Sequence, residues 1–237
     1  MLKKTKSYSC IILLLLIFIV SIKIQAQSSQ GKKSRDEINA SLHIPEDKLT
    51  SLSTEELLNT YLNSMYICYQ DIYSNIDQAL EVTYKEYNGF RELYKRKDFG
   101  EKLIKLYKSM NPDSNISSCT LIQQGHFIVS FTYIENLFAC DSIFNKLSVI
   151  ETKTVLAELL KKNEYKSLHS EKFSFSTLES STYSMAKLIS SSEKDNNGHT
   201  TLKQNSSTAY LLKTGHLPDM ETISIVTQGA KEFINGN

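Results

Sequence analysis

The chain has 237 residues, 27 basic against 26 acidic side chains, 41% hydrophobic residues and no tryptophan. That near-neutral balance holds no basic excess for neutralising phosphates, which argues against a nucleic-acid partner. A length of this order can bury one substantial core and permits one or two domains.

Lys3, Lys4 and Lys6 precede an apolar core from Ile11 to Ile22, followed by Gln25-Ala26-Gln27. This is the order of a secretory signal peptide over residues 1–26, with Ala26 the expected last residue removed. A membrane anchor is the competing reading, but the apolar core is only about a dozen residues against the roughly 20 that a spanning helix needs. Cys10 lies before that core, which argues against an acylated cysteine at the cleavage site. Removal of 26 residues, Lys3, Lys4, Lys6 and Lys23 among them and no acid, leaves 211 residues with 23 basic against 26 acidic. No later segment reaches spanning length, so no membrane span is expected after cleavage. Cys68, Cys119 and Cys140 remain, an odd number in an exported chain. Cys68 falls on an apolar stripe and reads as core; whether Cys119 and Cys140 bridge stays open.

Residues 27–43, rich in Ser, Gln, Lys and Arg, read as a flexible lead, and residues 44–237 as a single helical domain. Ser53 and Glu56 have capping-box spacing, with Leu52 and Leu57 placed as a hydrophobic staple. Behind them Leu58, Leu62, Met65, Tyr69 and Ile72 recur every three or four residues, widened by Tyr61 and Cys68. Ile76, Leu80, Tyr84, Tyr87, Leu93 and Tyr94 continue the spacing, and Asn88-Gly89 marks a break by its tolerance of left-handed backbone. Asp98 with Glu101 reads as the next cap, opening a helix through Leu103, Ile104 and Tyr107 that stops before Asn111-Pro112.

A loop is expected over 111–118. Phe127, Phe131, Ile134 and Phe138 then predict a helix, expected to be the most buried because Gly125 to Tyr133 carries almost no charge. Ser148 and Glu151 form another cap pair, and Val155, Leu156, Leu159 and Leu160 line one face up to Lys161-Lys162-Asn163. Leu178, Tyr183, Met185, Leu188 and Ile189 predict a further helix, and 194–208 an exposed loop. Tyr210, Leu211 and Leu212 are expected to dock before a last helix that Asp219 and Thr222 cap. The fold class is therefore all-α with five to eight helices, arranged either as a solenoid-like stack of helix pairs or as an irregular multi-helix bundle.

Ser53-Thr54-Glu55-Glu56-Leu57-Leu58, Tyr87-Asn88-Gly89-Phe90-Arg91-Glu92-Leu93 and Lys95-Arg96-Lys97-Asp98 resemble a family of uncharacterised exported proteins of Bacteroidetes. The resemblance covers about a third of the chain and fades after Tyr107. That family carries a Cys-Leu-x-Tyr-Pro element where this chain has Tyr61-Leu62-Asn63-Ser64-Met65, so the proline is missing here. The resemblance implies export to the periplasm, the outer-membrane surface or the medium, and a helical fold; it carries no catalytic residue across.

Ser184-Met185-Ala186-Lys187 and Lys213-Thr214-Gly215 match two short signatures of acyl-serine enzymes, but they lie too close together and without the strand that such enzymes need. His43, His126, His169, His199 and His216 are scattered, without metal-ligand spacing. No metal or cofactor is therefore expected. Seven of the 13 tyrosines sit in the opening helices, and Tyr66, Tyr69, Tyr73, Tyr87 and Tyr94 are the candidates for a binding surface; packing in the core is the competing reading. Asp141-Ser142-Ile143 resembles a short O-glycosylation pattern of exported Bacteroidetes proteins. The expectation is a non-enzymatic protein- or peptide-binding or scaffold module of the envelope. The alternative is a secreted hydrolase with a Ser or Cys nucleophile.

Overall fold

A computed structural model describes residues 42–62, 76–112, 121–192 and 205–236, with Glu37, Ala40 and Leu202 as isolated positions. The signal peptide, Tyr66, Tyr69, Tyr73, Cys68, Cys119 and His199 lie outside the described residues. Residues 42–237 form one compact unit and residues 1–41 another; in the latter Glu37 and Ala40 are helical and exposed.

The larger unit is all-helical, with no strand among the described residues. Its segments are α1 (Glu46–Leu49), α2 (Thr54–Leu62), α3 (Ile76–Glu86), α4 (Asn88–Lys95), α5 (Phe99–Ser109), α6 (Leu121–Phe138), α7 (Asp141–Phe144), α8 (Val149–Leu168), α9 (Phe175–Ser192), α10 (Ser206–Thr214) and α11 (Met220–Asn235). These exceed the five to eight expected because α1 and α7 are single turns and α10 falls partly within the expected loop. Helix α10 starts from a capping box in which the Asn205 side chain accepts from the Thr208 amide at 2.8 Å, with Thr208 fully buried. In the sequence Asn205 sits in a run of Asn and Ser whose composition reads as loop.

Three cap signals do set helix starts. Glu56 accepts from the Ser53 amide at 2.8 Å and the Glu56 amide donates back to Ser53 at 3.2 Å. Ser148 and Glu151 form the same reciprocal pair, and Asp219 accepts from the Thr222 amide at 2.8 Å. Asp98 behaves otherwise: it caps no amide of α5 and instead accepts from the Thr54 hydroxyl at 2.7 Å, joining the starts of α2 and α5.

The break between α3 and α4 falls at Tyr87, and Gly89 is helical, not left-handed. Its hydrogen is needed for close approach: a Cβ there would lie 2.5 Å from the Tyr87 ring and 2.9 Å from Ile44 Cδ1. Asn88 completes the junction, accepting from the Ile44 amide at 3.1 Å and donating to the Ile44 carbonyl at 2.7 Å. The sequence Tyr-Asn-Gly-Phe thus clips a segment 44 residues upstream onto α4. Tyr87 and Phe90 stack on Tyr61, with ring centroids 5.7 and 4.9 Å from it respectively.

Helix α9 occupies the centre and packs against α6, α8, α10 and α11. Apart from the single turn α7, these four are the two helices before α9 and the two after it in the chain, an arrangement that a multi-helix bundle and a stack of helix pairs both give. Among the described residues, the most buried long helix is α9 and not α6. Ser180, Ser181, Thr182, Ser184 and Ala186 are all buried, and their small size lets neighbours approach from several sides. Their hydroxyls do not demand water, because Thr182 donates to the Leu178 carbonyl at 2.7 Å and Ser181 to the Asn163 side chain at 2.8 Å.

Candidate functional site

Two places could carry chemistry or binding. The first is a polar network at the meeting of α5, α6, α8 and α9. Glu135 is the one charged residue of α6. An isolated carboxylate in an apolar helix must find partners or lose its charge. It accepts from Lys166 Nζ at 2.5 Å and from the Tyr107 hydroxyl at 2.6 Å, and its backbone carbonyl accepts from Ser184 at 2.5 Å. Lys166 also donates to the Thr177 carbonyl at 2.8 Å. Both charged side chains are 0% exposed.

Lys162 flanks the network, donating to the Tyr107 carbonyl, lying 3.7 Å above the Tyr107 ring and 3.6 Å from Glu158. Asn163 accepts from Ser181 at 2.8 Å. The sequence marked the end of an apolar face at Lys161-Lys162-Asn163, yet α8 runs on to Leu168 and buries Lys162, Asn163 and Lys166 on that face.

Burial dominates the protonation of these groups. It raises the Glu135 carboxyl against the pull of Lys166, lowers the Lys166 ammonium against that of Glu135, and lowers Lys162 to about 8. The Tyr107 phenol is raised well above its usual value by burial and by Glu135. A carboxylate, two amines and a phenol with shifted protonation are a common catalytic inventory. Here Glu135 and Lys166 are both 0% exposed, with the Phe131 ring 5.0 Å from Lys166 Nζ and the Phe138 ring 5.4 Å from that of Tyr107. The arrangement orients four helices on one another; its chemistry is that of a buried ion pair. A lone Glu in the apolar run 127–138 was the sequence signal that could have revealed it.

The second place is a shallow hollow of about 220 Å³ between α2 and α5, lined by Glu55, Leu58, Asn59, Lys102, Lys105, Leu106 and Ser109. The Thr54–Asp98 bond joins the starts of the two helices, and Glu55 of α2 reaches Lys102 and Lys105 of α5. Half-buried Leu106 supplies the apolar floor, while Leu58 beside it is only 2% exposed. At the rim the Glu55 carboxylate lies 3.2 Å from Lys105 Nζ and 3.4 Å from Lys102 Nζ, which hold it below the usual carboxylate range.

Of the tyrosines named from the sequence, Tyr87 is 1% exposed and belongs to the core, where burial lifts its hydroxyl to about 12. It offers no ring to a partner, because the break after α3 turns it inward against Tyr61. Tyr94 is half-buried, with its hydroxyl 2.6 Å from Cys140 Sγ and its ring 4.8 Å from that of Phe90. The two enzyme-like signatures are not brought together as a site: Ser184 is buried against Glu135, Lys187 lies 3.5 Å from Asp77, and Gly215 is the left-handed residue that ends α10. His43 and His216 are exposed, His216 lying 3.1 Å from Glu179, while His169 stacks on Tyr165 at 4.0 Å. Among the described residues, no three His, Cys, Asp or Glu side chains gather as a metal-holding group, and no helix is long and apolar enough to cross a membrane.

No protein-family model, no curated protein and no solved structure matches the chain. The class is therefore defined by the fold alone, all-helical with a buried polar junction and a small open groove.

Proposed function

We propose that the protein is a non-catalytic, exported interaction module of the bacterial envelope that receives a segment of another protein in the hollow between α2 and α5. The observation that carries this reading is the hollow itself, apolar at its floor and charged at its rim. Sites for metabolites and cofactors occupy roughly 300–1,000 Å³. A space of about 220 Å³ suits one or two side chains of a partner better than a whole small molecule. The charged rim around an apolar centre is the usual anatomy of a protein contact. Export rests on the order of charges, apolar core and small residues in 1–26 and on the resemblance of the opening helices to exported Bacteroidetes proteins.

The test places a photo-crosslinking residue at Asn59 on the hollow, and separately at Lys231 on the exposed side of α11, and exposes each mature protein to envelope extract. A discrete adduct from Asn59 that is absent from Lys231 and lost in Leu106→Glu, with the helical spectrum retained, supports the reading. The same products from both positions, or none from Asn59, refute it. Terminal sequencing of the protein recovered from cells is expected to begin at Gln27.

A further inference from the structure

We infer that the α2–α5 hollow is selective for an acidic segment carrying an aliphatic side chain, and that Glu55 holds it in a self-occupied state by standing where the partner's carboxylate goes. The inference rests on the reading of the hollow as a binding site and adds the chemistry of its ligand. Lys102 and Lys105 are spaced three apart on α5, on the face turned to α2, and both reach the same Glu55 oxygen, at 3.4 and 3.2 Å. Two ammonium groups on one carboxylate leave the rim with one positive charge in excess, which an incoming acid can use.

The Glu55 contact is easily given up. Its side chain is 51% exposed and Lys105 is 70% exposed, and ion pairs that open to water are held weakly and screened by salt. Release of Glu55 into solvent costs little, since it sits in the first turn of α2, where the helix terminus still favours a negative charge. The lysines it leaves behind line the hollow with Leu106, so a carboxylate bound there brings its neighbouring side chain over that leucine. A basic ligand would meet two lysines against one glutamate, and a purely apolar one would leave the rim charges less well hydrated. Both fit less well than an acidic segment with one aliphatic residue.

The experiment measures binding of three short fluorescein-labelled peptides, Glu/Leu, Gln/Leu and Lys/Leu in alternation, to the folded mature chain by fluorescence anisotropy. Wild-type protein is expected to bind the Glu/Leu peptide tightest. Glu55→Gln, which removes the internal competitor, is expected to tighten it by about twofold to fivefold, and Lys102→Glu with Lys105→Glu to abolish it, while circular dichroism keeps its helical signal in both variants. Salt at 1 M, with a Debye length of about 3 Å, is expected to remove the preference among the peptides. Equal binding of all three peptides, or Glu55→Gln weakening the Glu/Leu peptide, overturns the inference. So does sedimentation showing a dimer of the chain that Glu55→Gln strengthens, since the occupant is then a second copy. If the peptides show no preference but the Asn59 adduct persists, this inference fails and the proposed function stands; loss of both removes both.

Discussion

Replacing Lys166 by Met isolates the contribution of the buried ion pair. The substitution nearly conserves volume, so its cost comes from Glu135, which is left 0% exposed with the Tyr107 hydroxyl as its hydrogen-bond donor and only the more distant charge of Lys162 to offset its own. Stranding one partner of a buried pair costs about 3–5 kcal/mol, a large fraction of the 5–15 kcal/mol that stabilises a typical domain. Glu135→Met is expected to cost a similar amount, since it strands Lys166 against the Thr177 carbonyl alone. The double variant removes both charges and should recover most of the loss, except that the Tyr107 hydroxyl then lacks its acceptor, at about 1–3 kcal/mol. Adding Tyr107→Phe should return stability to within about 1 kcal/mol of wild type or above it. The chain has no tryptophan, so urea unfolding is followed by far-ultraviolet circular dichroism, with the slope of free energy against urea checked for constancy. Additive costs in the double variant, or single variants that each cost less than about 1 kcal/mol, would refute the claim that these two charges are sealed against one another.

Lys162→Met addresses pH. Burial holds the Lys162 ammonium near 8 in the folded chain against 10.5 for a free lysine, so between those values the unfolded chain binds more protons and stability rises with pH. The variant should lose a slope of up to about 1.4 kcal/mol per pH unit in that window, measured as the wild-type minus variant difference in urea midpoint; parallel curves would contradict it. Gly89→Ala should lower the melting temperature, because overpacking against Tyr87 and Ile44 costs about 1–3 kcal/mol and outweighs the ~1 kcal/mol gain in helix propensity. Asn88→Ala should release the backbone at Ile44, seen as faster amide exchange over 44–49 than in wild type, with the amides of α9 unchanged. Tyr87→Phe removes a buried hydroxyl that has no hydrogen-bond partner among the described residues, and is expected to be neutral or stabilising by about 1 kcal/mol on thermal unfolding.

Where side chains act within one turn, the sequence was legible. The Ser53–Glu56 and Ser148–Glu151 boxes and the Asp219 cap each need residues only three apart, and each appears in the fold. Apolar stripes such as Leu57, Leu58 and Tyr61 likewise turned inward. Features that depend on a distant partner were not readable. Asp98 has cap spacing but bonds Thr54, and Gly89 looks like a left-handed breaker but serves a close packing contact set by Ile44. Helix α9 looked ordinary because serine and threonine count as polar in any pattern, whereas inside a helix their hydroxyls bond the preceding turn and can be buried on every side. The candidate site was hidden for a related reason. Glu55, Lys102 and Lys105 are common surface residues, and only the packing of α2 on α5 makes a rim of them.

In the proposed reading a buried polar junction holds the helices and the surface hollow meets a partner. Its most direct test is the yield of the Asn59 photo-adduct from the triple variant Glu135→Met, Lys166→Met, Tyr107→Phe, compared with wild type under conditions where both are fully folded. Equal yield is expected. A folded triple variant that no longer forms the adduct would show that the buried groups take part in recognition, and would contradict the account.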